Sequence, residues 1–165
     1  MPTELTGKQI KRLLRLEPHP IEGGWFRQTY AAGLTISAPQ GLRPASTAIY
    51  YLLEGGAFSE MHRLTSDEIF HFYLGSPVEM LQLRPDGSSA VYTLGPDLAA
   101  GQHPQLVVPA GVWQGTRLLE DGGAALLGCT VAPGFDYADY TRAGYRELSE
   151  HWPQEAERIR ALTRF

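Results

Sequence analysis

The sequence predicts an all-β fold, an antiparallel sandwich or barrel with short α-helices at its two ends. Three observations carry this. Strand-like segments recur at close spacing: Trp25–Tyr30, Ser46–Leu53, Ala57–Arg63, Ile69–Tyr73, Val78–Leu83, Ala90–Leu94, Gln105–Val108 and Ala124–Val131. Eighteen glycines and twelve prolines punctuate the chain, and Pro85-Asp86-Gly87 is a hairpin signal between two of those segments. Helical periodicity is confined to the ends, so the strands are joined by turns rather than crossover helices.

At the N-terminal end, Thr6-Gly7-Lys8-Gln9 has the form of a capping box, and Ile10, Leu13 and Leu14 recur at helical spacing. This predicts a helix over about 6–15, stopped by Pro18 and docked on the barrel. Two prolines bracket His19 in the run LEPHPIEGGWFRQTY, which reads as a turn residue, and Trp25 to Tyr30 follows as a strand. Alternation puts Trp25, Arg27 and Thr29 on one face and Phe26, Gln28 and Tyr30 on the other. Arg27 offers a guanidinium to an anionic ligand or to a carboxylate of the fold. Gln40 to Pro44 reads as a loop. After the last core strand, Ala132 to Asp136 turns away, and the tail over about 141–163 reads as two helical pieces broken at Pro153.

The totals narrow the function classes. A chain of 165 residues, 43% hydrophobic, is expected to form one domain, 1–165, with its barrel over about 25–132. Fourteen basic against eighteen acidic residues leave a formal charge of −4, which argues against a nucleic-acid partner. Cys129, on a strongly apolar segment, is the single cysteine, so no internal disulfide forms; it reads as a small buried hydrophobe rather than a nucleophile. There is no run of 18 apolar residues and no signal-like apolar stretch at the start. The expectation is a soluble, cytoplasmic protein without a membrane partner.

The densest chemistry lies between Gly55 and Gly75. His62 and Glu68 sit on adjacent strand segments around the corner Thr65-Ser66-Asp67, an imidazole and a carboxylate that can hold a metal or move a proton. The order Gly56, His62, Glu68, Gly75 resembles the first motif of the cupin superfamily, with Leu64 at the second histidine's place. Pro109-Ala110-Gly111-Val112-Trp113-Gln114 resembles the second motif, with Gln114 at the histidine. Together with HPIEGGWFRQTY, STAIYYLL, SDEIFHFY and GCTVAPGFDY, these runs make residues 10–162 similar to a group of small single-domain cupins, the Cupin 5 group, whose reaction is unsettled. The resemblance implies a double-stranded β-helix, the jelly-roll cupin barrel, and a homodimer, for which Trp25–Tyr30 is a natural pairing edge.

Strand alternation directs Glu68, Phe70 and Phe72 into the barrel and Ile69, His71 and Tyr73 outward, and places His62 and Leu64 on one face with Phe58 and Glu60. Leu64 and Gln114 leave no two-His-one-carboxylate set. No cofactor is therefore expected; a divalent ion (Zn, Mn, Fe or Ni) would have only His62, Glu68 and Gln114. The resemblance to the sugar-nucleotide epimerase branch of cupin-like folds implies a metal-independent isomerase acting on a sugar or sugar-nucleotide-like substrate. His62 is then the base, Glu68 its partner and Tyr51, or Tyr50, the acid. Phe70, Phe72 and Trp113 would wall the pocket, with Gln114 and Arg27 binding the ligand. The alternatives are a non-catalytic small-ligand-binding cupin and a metal-dependent enzyme.

Overall fold

A computed structural model describes residues 4–120 and 123–165. In chain order the elements are α1 (Gly7–Leu14), β1 (Glu17–Pro18), β2 (Trp25–Ala31), β3 (Thr35–Ala38), β4 (Gly41–Pro44), β5 (Thr47–Glu54), β6 (Phe58–Leu64), β7 (Asp67–Gly75), β8 (Val78–Leu83), β9 (Ser89–Leu94), β10 (Gln105–Val108), β11 (Trp113–Leu118), β12 (Ala124–Ala132), β13 (Tyr140–Arg142), α2 (Tyr145–His151) and α3 (Ala156–Ala161). Short 3-10 turns at Tyr137–Asp139 and Pro153–Glu155 precede β13 and α3. No described helix is long and apolar enough to cross a membrane.

Two antiparallel sheets form the body, ordered β1-β2-β5-β12-β7-β10 and β13-β6-β11-β8-β9. The pairings nest outward from the β8–β9 hairpin: β7 pairs with β10, β6 with β11 and β5 with β12. This nesting is the jelly roll. Asp86 closes the hairpin by accepting from the Ser88 N–H at 2.9 Å. The β3–β4 hairpin stands apart from both sheets.

Apolar faces make three layers. Between the sheets lie Tyr51, Leu53, Phe70, Met80, Leu94 and Leu127. Outside the smaller sheet, Met61, Leu81, Leu83 and Trp113 meet Leu148, Trp152 and Ile159 of the C-terminal helices. Outside the larger sheet, Ile10 of α1 meets Leu52 and Leu126. Each such fully buried aliphatic contributes about 1.5–3 kcal/mol. The Thr6–Gln9 capping box closes α1 as its sequence predicts.

Several expectations change. Residues 40–44 are not a loop, because β4 pairs with β3. β11 carries no apolar alternation to announce it: Trp113 faces the helices, and Gly115 is small because a Cβ there would lie 2.7 Å from Met61 Sδ. Residues 140–142 pair with β6, so the C-terminal helix begins at Tyr145. His62 does not share a face with Phe58. Opposite β11 the register runs from Ser59↔Thr116 to His62↔Gln114, and the extra residue in β6 is a bulge. Phe58 and Met61 therefore point to the helices, while Ser59 and His62 point inward.

Candidate functional site

A cavity of about 230 Å³ opens at one end of the barrel. Its floor is His62 and Leu64 from β6, Glu68 from β7, and Cys129 and Val131 from β12. Its mouth is Phe26 and Gln28 from β2, the 19–22 loop, and Phe135 and Tyr137.

His62 is 2% exposed and rigidly held. Its Nδ1 donates to the Glu60 carbonyl oxygen at 2.6 Å, and its ring stacks on Tyr140 at 4.7 Å and 11°. The Glu60 carboxylate behind it receives Arg142 Nε at 2.7 Å, Arg142 again at 3.0 Å and the Tyr140 hydroxyl at 3.1 Å. Because Nδ1 carries the proton, Nε2 keeps its lone pair in the neutral ring.

His19 has the opposite tautomer. Its Nδ1 accepts the backbone N–H groups of Ile21 at 3.3 Å and Glu22 at 3.0 Å, so its proton sits on Nε2, 3.7 Å from Glu22 Oε2. Burial lowers its pKa against the pull of Glu22, and a second ring proton would meet two N–H donors. The loop that brings it in needs glycine at Gly23 (φ 102), where a Cβ would lie 2.3 Å from the Phe58 carbonyl oxygen. Ser59 Oγ donates to Glu22 Oε1 at 2.5 Å, and the Glu60 N–H to the Glu22 carbonyl at 3.0 Å, which laces the loop to β6.

Glu68 is 7% exposed and accepts from Gln114 Nε2 at 2.5 Å. Burial, then the neighbouring Glu22 charge, push its carboxyl up to about 7; His62 and the Gln114 bond act the other way. Burial holds the Cys129 thiol protonated, well above its ordinary range.

The structure thus brings His62, Glu68 and Gln114 together: Gln114 is the cross-strand partner of His62 and bridges to Glu68. Other predicted site residues lie elsewhere. Tyr51 is wholly buried and donates its hydroxyl to the Gly23 carbonyl at 2.6 Å, and Tyr50 faces outward under the Arg27 guanidinium. Arg27 itself donates to the Leu14 carbonyl at 2.7 Å, on the outer face of the larger sheet. Phe70 and Phe72 fill the intersheet core, and Trp113 lies on the helix side of β11 with Arg63 over its ring. The aromatic wall is instead Phe26, Phe135 and Tyr137. His71 faces outward, bonded to Thr130. Sequence reasoning missed His19, Glu22 and the Phe135–Tyr137 pair. The signal for the first two is the HPIEGG run, whose paired prolines and glycines mark a tight loop without giving its direction.

The donors present do not fit a metal of the kind the motif positions would hold. Leu64 projects an isobutyl group into the cavity and Gln114 stands for an imidazole, so the donors there are His62 Nε2, the Glu68 carboxylate and the Gln114 amide oxygen, which has no hydrogen-bond partner among the described residues. Among the described residues no three His, Cys, Asp or Glu side chains are grouped as metal donors.

Comparison with known proteins agrees with this architecture. Residues 8–143 match a family model described as Cupin superfamily (DUF985). An uncharacterised protein of Saccharomyces cerevisiae, YML079W, is 29% identical over 134 residues, covering 73% of this chain and 67% of the yeast protein. Protein SO0799 of Shewanella oneidensis is similar in structure with a TM-score of 0.88 at 34% identity, covering 98% of this chain and 99% of that one. A hypothetical protein from Leishmania major superposes with a TM-score of 0.90 at 28% identity, covering 98% and 100%. Oxalate decarboxylase of Bacillus subtilis shares the fold at 16% identity and a TM-score of 0.56, over 89% of this chain and 37% of the enzyme.

Proposed function

The chain belongs to the DUF985 family of the cupin superfamily, and on that premise we propose that its barrel cavity is a metal-independent proton-transfer site of the isomerase or epimerase type, with His62 as base. The observation that carries the reading is the fixed tautomer of His62. Glu60 holds Nδ1–H, so Nε2 is the lone pair left to the cavity.

In the proposed step, Nε2 takes a proton from a carbon next to a carbonyl, and the released electron pair moves onto the carbonyl oxygen. Glu68, with its carboxyl at about 7, is partly protonated at neutral pH and supplies a proton to the intermediate. Return of the His62 proton to the adjacent carbon on the same face, with the proton of the other enediol hydroxyl passing to Glu68, restores the enzyme with no net gain or loss. The Nε2–H of His19 is a fixed donor for a substrate oxygen. Tyr51, with its hydroxyl bound to backbone, has no part in this scheme.

The cavity also limits the substrate. Its 230 Å³ lies below the roughly 300–1,000 Å³ of drug-sized sites, and no Lys or Arg is among the described residues lining it. It suits one sugar-sized or smaller molecule without phosphates, which narrows the sugar-nucleotide expectation.

The test is deuterium incorporation in D2O, with a chelator present, across aldoses, ketoses, amino sugars and small hydroxy ketones. Exchange next to the carbonyl of one class is expected, falling about 100-fold or more in His62→Asn. Binding without exchange, or equal exchange by the variant, would make the protein a ligand-binding cupin or place the base elsewhere.

A further inference from the structure

We infer that the molecule this cavity takes is a small organic cation, an ammonium group seated between the Glu22 and Glu68 carboxylates and the rings of Phe26, Phe135 and Tyr137. The inference goes beyond the proton-transfer reading, since a bound cation favours ionised Glu68 whereas that step uses its protonated form. It rests on the same cavity being the ligand site and does not require proton transfer.

The first observation is uncompensated negative charge. Buried carboxylates elsewhere in the chain have their cations: Glu60 faces Arg142 and Arg164, and Asp139 faces Arg43. Among the described residues neither Glu22 nor Glu68 has a Lys or Arg partner; their ionisable neighbours are imidazoles, His19 at 3.7 Å from Glu22 and His62 beside Glu68. Glu22 is held by the Ser59 hydroxyl and Glu68 by the Gln114 amide, both neutral donors. His19 cannot supply the charge, because its Nδ1 already accepts two backbone N–H groups. Glu68 is buried and Glu22 half-buried, with 12% of its side chain exposed; charge held there without a full counter-ion is costly, and a bound cation offsets that cost.

The second observation is what the site leaves unpartnered. Glu68 is more than nine-tenths buried and lines the cavity, yet only Oε1 has a hydrogen bond among the described residues. His62, 98% buried, likewise has no partner at Nε2.

The third is the wall. Phe135 and Tyr137 meet edge to face at 5.0 Å, and the His19 ring lies 4.8 Å from Phe26 and 6.3 Å from Tyr137. Aromatic faces attract cations, most strongly where water is excluded, and they accept the methyl or methylene groups around a substituted nitrogen. An anion would meet two carboxylates here, and a neutral ligand would leave both unbalanced.

Titration supports the geometry. The titratable groups around Glu68 are Glu22 and His19 from the loop, His62 from β6, Cys129 from β12 and Tyr137. Burial keeps Cys129 and Tyr137 neutral, and Glu68 itself ionises at about 7. Its ionised fraction rises about tenfold between pH 6 and pH 8.

Choline is the probe, a permanent cation, with its uncharged isostere 3,3-dimethylbutan-1-ol as control. Calorimetric titration of the wild-type protein at pH 8 is expected to show choline binding at least tenfold more tightly than the alcohol, and about tenfold less tightly at pH 6. Glu22→Gln, which can still accept from Ser59, and Glu68→Gln, which can still accept from Gln114, should each weaken choline at least tenfold at pH 8. Neither should lower the melting temperature. Equal binding of choline and alcohol, no choline binding, or wild-type affinity in both folded variants would overturn the inference. Deuterium exchange on a sugar by a protein that ignores choline would sink the cation site alone. Choline binding by a protein that exchanges nothing would sink the proton-transfer reading alone.

Discussion

Arg43→Ala is expected to destabilise the protein, because it leaves the Asp139 carboxylate without the guanidinium that balances it. Arg43 and Asp139 are 9% and 5% exposed, and the guanidinium grips the carboxylate through two bonds, Nε to Oδ2 at 2.8 Å and a terminal nitrogen to Oδ1 at 2.7 Å. It also donates to the Leu42 carbonyl within β4 at 2.8 Å, and its grip on Asp139 ties β4 to the turn at Tyr137–Asp139. That turn carries Tyr137 to the cavity wall and leads into Tyr140, which stacks on His62. The guanidinium holds the Asp139 carboxyl below its ordinary range, so the pair's contribution is present above the unfolded pKa and lost as pH falls through the folded one. Calorimetry at pH 7 should show a clearly lower melting temperature. Adding Asp139→Asn should recover part of the loss, since the stranded charge is then gone. An unchanged melting temperature would mean that Asp139 finds water and that the pair does not hold the turn.

Glu68→Gln has the opposite sign. The native protein holds the Glu68 proton up to about pH 7, whereas an unperturbed glutamate releases it near 4.5. Across that window the native state binds more protons than the unfolded chain, so stability falls as pH rises from 4.5 to 7. Once the group is fully ionised, the loss is about 3 kcal/mol. Glutamine keeps an acceptor for Gln114 and never ionises. The variant should therefore melt about 6–12 °C above the wild type at pH 8 and close to it at pH 4. A variant that melts below the wild type at pH 8 would mean that Glu68 is compensated there. A site residue that lowers stability is what function at that residue predicts.

The sheets were legible because their signals are local. Segments such as STAIYYLL and VEMLQL are strands by composition, and the turn residues between them leave few arrangements. The placement of His62 beside Glu68 was legible for the same reason, since a tight corner joins their strands. What failed was parity across irregularities. The β6 bulge moves Phe58 to the opposite side from His62, and nothing in GAFSEMHRL marks it. Trp113 was misplaced because both faces of β11 are buried, one against helices that lie forty residues away in sequence. His19 and Glu22 escaped because a loop without periodicity gives no direction to its side chains. Only the folded contacts, two backbone N–H groups on His19 Nδ1 and Ser59 on Glu22, reveal that the loop turns inward.

Two imidazoles of opposite tautomer line one cavity, His19 held by two N–H groups on its Nδ1 and His62 by the Glu60 carbonyl on its Nδ1–H. Long-range proton–nitrogen correlation of the histidine side chains at pH 8, assigned with His19→Asn and His62→Asn, measures this without any substrate. His19 is expected as the Nε2–H form and His62 as the Nδ1–H form, each unchanged when metal ions are chelated. A cationic His19, or an Nε2–H form of His62, would contradict it.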